Sequence, residues 1–100
     1  MVNPASVKIF GKVYTIEENN EIADDGDYGQ CNHRKQQIFY CSGQHHDQVR
    51  DTILHEIIHA IDHGINFGLK EEQVHGLACA IYCMFKDNPE LLNWMFKGGD

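Results

Sequence analysis

Three residues of this chain have the types and spacing to act together: His55, Glu56 and His59. In His55-Glu56-Ile57-Ile58-His59 two imidazoles stand four residues apart, with a carboxylate beside the first. Residues at i and i+4 share one face of an α-helix, a turn apart. Both histidines can therefore offer a ring nitrogen to one metal ion. Glu56 can then reach a water on that ion. Zinc lowers the pKa of such a water toward ~7, and a carboxylate can take its proton. The pattern points to metal-assisted hydrolysis, provided a helix carries it.

The flanking residues supply that helix. Ile53, Leu54, Ile57, Ile58 and Ile61 recur at helical spacing. The helix is expected over residues 47–63, with Asp47 as cap or first-turn acid and Gly64 as the C-terminal cap. A second helix is expected over residues 70–86, with Val74, Leu77, Ala78, Ile81 and Phe85 as its apolar stripe. Asp87-Asn88-Pro89 breaks it. Pro89 opens a short last helix, whose Leu91, Leu92, Met95 and Phe96 should pack back on the core. Gly98-Gly99-Asp100 should fray.

Before the motif the pattern is one of strands. Residues 7–10 and 12–16 are β-branched and aromatic around Gly11, which predicts a hairpin or one strand with a bulge at the glycine. Six acids between Glu17 and Asp27 read as a solvated connection. Residues 28–31 and 36–41 flank a polar turn and predict a second hairpin. Together these give one α+β domain over residues 1–100. A small antiparallel sheet of hairpins should pack on the motif helix, beside a second, antiparallel helix.

Two histidines need a third ligand, and the short connection between the helices brings three candidates to the right level: Glu71, Glu72 and His75. Phase separates them. Glu71 lies three residues before Val74 and seven before Ala78, on the stripe that should face the motif helix. Glu72 is rotated by ~100° from it. On that ground Glu71 ranks first. An inward carboxylate would also need a cation to meet it. His63 lies ~12 Å along the axis from His55, too far to share one small coordination sphere. His33, His45 and His46 read as exposed, and Tyr40, Tyr82 and Trp94 as core or rim aromatics.

Composition bounds the rest. The chain of 100 residues is 42% hydrophobic and carries a formal charge of −7. No basic stripe exists to meet nucleic-acid phosphates or an anionic membrane. No apolar run approaches the ~18 residues of a spanning helix, and the start lacks the marks of a signal peptide. A cytoplasmic protein is expected. Its thiols Cys31, Cys41, Cys79 and Cys83 should then stay reduced.

The stretch 54–60, followed by Glu71-Glu72-Gln73-Val74-His75-Gly76-Leu77-Ala78, resembles small gluzincin-type zincins. It is most similar to compact metallopeptidase-like proteins of phages and prophages, related to the ImmA/IrrE group. In that group the second helix opens with Glu-x-x-Ala-Asp or Glu-x-x-Ala-Asn; Glu71, Val74 and His75 stand at those places. The metzincin pattern fails, because Asp62 and Ile65 occupy its glycine and third-histidine positions. The resemblance implies a minimal zincin-like fold, Zn2+ on His55, His59 and Glu71, Glu56 as general base, and a protein or peptide substrate. Some zincin-like proteins keep the fold without proteolysis. A silent, metal-stabilised interaction module is therefore the alternative expectation.

Overall fold

The computed structural model describes residues 5–97. In chain order these form β1 (Ser6–Ile9), β2 (Lys12–Glu18), a 3-10 helix (Asn20–Asp25), β3 (Gly29–Asn32), β4 (Gln37–Tyr40), α1 (His46–Ile65), α2 (Glu71–Asp87) and α3 (Pro89–Phe96). The class is α+β. The expected fraying of Gly98-Gly99-Asp100 lies outside the described residues.

Both predicted hairpins form: β1 pairs with β2 and β3 with β4, each antiparallel. The sheet is nevertheless mixed rather than antiparallel throughout. Its order is β1-β2-β4-β3, and the central β2–β4 pair is parallel. The chain leaves β2, crosses through the 3-10 helix, and enters β3 at the outer edge. The second hairpin then folds β4 into the gap. Local pattern cannot show this, because hairpin order depends on a long connection. The acidic stretch is that connection, and it is more ordered than a solvated loop. Asn19 Oδ1 accepts from the Glu21 N–H, Ile22 is buried, and Gly26 stops the turn at φ 82°. Only glycine adopts that left-handed backbone without strain. Asn19 N–H then donates to Tyr40 O at 2.9 Å, and Cys41 N–H to Tyr28 O at 2.9 Å.

α1 serves two cores at once. One side, at Ile57, Ala60 and Ile61, packs on Ile9, Tyr14 and Ile38 of the sheet. The other, at Leu54 and Ile58, packs on Val74 and Ala78 of α2. Val74 and Ala78 are fully buried, so the predicted stripe is right where it matters. Burying a side chain such as Ile38 or Val74 stabilises by roughly 1.5–3 kcal/mol. Leu77 and Phe85 of the same stripe stay exposed, since α1 covers only one side of α2.

Two helix ends differ from expectation. Gly64 lies within α1, which ends at Ile65 with Asn66 as its cap at φ 57°. Asn66 N–H donates to Asp62 O at 2.6 Å. Asn tolerates the left-handed region better than most residues. Gly64 serves packing instead: a Cβ there would meet the Phe10 ring at 2.7 Å. The last helix also departs. Leu91, Trp94, Met95 and Phe96 of α3 are exposed rather than packed back on the core, and Trp94 is not a core aromatic.

Candidate metal centre

The connection between α1 and α2 is short and tied down. Leu69 N–H donates to Asp62 Oδ2 at 3.1 Å, and Lys70 N–H to Gln73 Oε1 at 2.9 Å. α2 therefore starts close against α1, and Glu71 in its first turn reaches across to the motif. His55 Nε2 lies 2.5 Å from Glu71 Oε1, and His59 Nε2 lies 3.0 Å from Glu71 Oε2. The carboxylate spans both imidazoles, one oxygen to each. His55, His59 and Glu71 each bring a donor atom within 4.8 Å of the others. Two imidazole nitrogens and a carboxylate are the donor set of a three-ligand zinc site. The residues present fit the ion.

Of the three candidates for third ligand, only Glu71 joins the histidines. Glu72 is exposed and outside the group. The His75 ring centroid is 6.1 Å from that of His55, and its Nε2 lies 3.8 Å from Cys79 Sγ. Glu71 is not the inward carboxylate expected of the α2 stripe: its side chain is 68% exposed. Its helix phase and its two short contacts make it the third candidate donor.

Glu56 has a different environment. It is buried beneath β3, on the side of α1 that faces the sheet. Gly29 makes this possible: a Cβ there would sit 2.5 Å from Thr52 Cγ2 and 3.1 Å from Glu56 Oε2. Burial pushes the Glu56 carboxyl up to about 7, and the charges of Glu71 and Asp27 add to the rise. Glu56 in turn contributes, after burial, to raising the Cys31 thiol to about 12. Such a thiol is protonated and inert at neutral pH. All four cysteines are unbridged.

A cleft of about 780 Å³ opens over the centre, and His55, Glu56, Glu71, Tyr28 and His75 line it. Several of its residues escaped sequence reasoning, Gly29, Tyr28 and Asp51 among them. Gly29 and Tyr28 come from β3 and the turn before it, where nothing local marks them. Asp51 carries a legible signal: it precedes His55 by four residues, on the same helix face.

The other histidines separate cleanly. His45 and His46 are exposed at the start of α1, their ring centroids 4.2 Å apart and the rings tilted by 31°, and with Asp47 they form a second group whose donor atoms converge. His33 is not simply exposed. It is half-buried and stacks on His63 at 4.3 Å with the rings 5° from parallel. Burial holds its pKa down, with His63 and His59 adding to the effect and Asp62 opposing it. None of the described helices is long and apolar enough to cross a membrane. Comparison of the chain with protein-family models, curated proteins and solved structures found no match.

Proposed function

We propose that the chain is a zinc-dependent metallopeptidase of narrow specificity. The observation that carries this reading is the Glu71 carboxylate spanning His55 Nε2 and His59 Nε2. Three side chains from two packed helices are already drawn to one point, with a buried acid next to them in the chain. Zinc held there supplies a Lewis acid and an acidified water. His55, His59 and Glu71 would hold the ion. Glu56 takes a proton from the attacking water and returns it to the leaving amine. Its raised pKa, about 7 in the metal-free protein, places it near neutrality, where a base works best. A cation beside it draws that value down and favours the charged, basic form.

β3 is the outer strand of the sheet and borders the cleft at Gly29. An extended peptide can add to such an edge through main-chain hydrogen bonds. Gly29 keeps Glu56 close beneath that edge. Tyr28 and His75 offer polar groups at the rim. The motif residues shared with small prophage zincins support the same reading.

The test compares wild type with Glu56→Gln, zinc content being matched in both. The substitution keeps size and removes the base, so cleavage should fall by about a thousandfold or more. Equal cleavage by the two proteins would remove Glu56 from the mechanism. The exposed apolar surface of α3 favours a second reading, a metal-stabilised interaction module. A closed site with four protein ligands would select that alternative.

A further inference from the structure

α3 is a helix of eight residues, none of them buried. Eight residues span about 12 Å, and helices that short are marginal in water without cover. Leu91, Trp94 and Met95 recur at i, i+3 and i+4 and form one apolar face. Trp94 is 72% exposed, and Phe96 at the end of the helix 76%. The joint with α2 is fixed. Asn88 Nδ2 donates to Met84 O at 2.9 Å, and Asn88 O accepts from Leu92 N–H at 3.3 Å. Pro89 adds its own locked φ. α3 is thus held with its apolar face toward solvent.

Area and charge say what covers it. With Met84 and Phe85 in the last turn of α2, the exposed apolar side chains offer roughly 650 Å² of accessible surface. The largest apolar patch of a monomer is roughly 300–600 Å², whereas a stable dimer needs about 800 Å² per copy, somewhat over half of it apolar. A contact about a two-fold axis must also be self-complementary. The only charges on α3 are Glu90 in its first turn and Lys97 just past its last, seven residues apart on one edge of the apolar face. When two copies of α3 run antiparallel, Glu90 of each stands opposite Lys97 of the other. The axis then falls beside Trp94, and the two indoles meet at the centre. In a parallel pair the same charges would stand acid to acid and base to base. The chain carries a formal charge of −7, so most of its surface repels a second copy. This segment is neutral in sum.

We propose that this face joins two copies of the chain, α3 packed antiparallel on α3 about a two-fold axis. Glu71 stands at the opposite end of α2, about 25 Å of helix away, so the metal centre stays outside the contact. The inference does not rest on the metallopeptidase reading.

Sedimentation of the whole chain over roughly 1–300 μM tests it. The mass should rise from 11.5 kDa toward twice that, with a midpoint in the low micromolar range. Trp94 is the single tryptophan, so its emission should shift to the blue over the same concentrations. Trp94→Glu sets two like charges at the axis and should leave a monomer at every concentration, with helix content and zinc affinity unchanged. Should Trp94→Glu fail to fold, charge exchange reads the same contact. Glu90→Lys or Lys97→Glu alone should weaken the dimer by roughly five- to tenfold, and the two together should restore it.

A monomer throughout would overturn the proposal. Blue Trp94 emission at every concentration would then mean that α3 is covered by its own chain. Emission that turns blue only on adding neutral phospholipid vesicles would make a membrane the occupant. A dimer that survives Trp94→Glu, or single charge exchanges that the double one does not rescue, would place the contact elsewhere and overturn it too.

Discussion

The α1–α2 pair is crossed by two polar stations, and they are built in opposite ways. At one end Asp47 of α1 accepts from Tyr82 OH at 2.7 Å and from Lys86 Nζ at 2.9 Å. These two bonds, the Tyr82 one first, hold its carboxyl down to about 2. At the other station His55 and His59 converge on Glu71, and the charged group they meet is an acid. The first station contains its own cation. The second has its donors assembled and takes its cation from outside. One sequence thus makes a finished strut and an open socket on the same pair of helices. The difference lies in whether a Lys reaches the acid.

The largest effect that can break this comparison is on metal affinity. His59→Ala or Glu71→Ala should weaken zinc binding by about a thousandfold or more, measured by competition with a chelating dye. Glu72→Ala and His75→Ala should change it by no more than about tenfold. Asp47→Ala should leave it untouched. Saturating zinc should raise the melting temperature of wild type by roughly ten degrees, and a chelator should reverse this. Indistinguishable melting with and without zinc would show a socket that adds nothing to the core.

The next effect concerns pH in the metal-free protein. Folding raises the Glu56 carboxyl from its ordinary 4.5 to about 7. A raised acid favours the fold while it is protonated, below 4.5, and that support is lost as pH climbs through about 7. The loss should amount to roughly 3 kcal/mol by denaturant titration across that window. Glu56→Gln is neutral throughout and should flatten the slope. A slope that survives the substitution would assign it to other groups.

The smallest effect lies at the strut. Folding lowers the Asp47 carboxyl from 3.8 to about 2, so its contribution is present above 3.8 and lost as pH falls through about 2. Asp47→Asn should lower the melting temperature by only two or three degrees or so, equally with and without zinc, because the pair is solvent-screened. A larger fall with zinc than without would show that the two stations are coupled.

These stations were not equally legible in the sequence. His55, Glu56 and His59 declare themselves by spacing. Glu71 follows from phase, because the burial of Val74 and Ala78 fixes which side of α2 meets α1. The Asp47–Tyr82–Lys86 strut joins residues 35 and 39 positions apart, and no local pattern links them. The parallel β2–β4 pair is hidden for the same reason. Strand order is decided by where the 3-10 helix and Ile22 seat the crossing chain. Gly64 misled because glycine serves close packing as readily as capping, and here Phe10 claims it. α3 misled because its apolar residues say only that they prefer cover. The register of Gly29 over Glu56 is a tertiary fact, visible only once the edge strand is laid on α1.

The coordination of zinc in the loaded wild-type protein, read by X-ray absorption at the metal edge, tests the proposed centre most directly. Two imidazoles, one carboxylate and a water are expected, with no sulfur. A fourth protein ligand in place of the water, whether the His75 imidazole or the Cys79 thiolate, would contradict it.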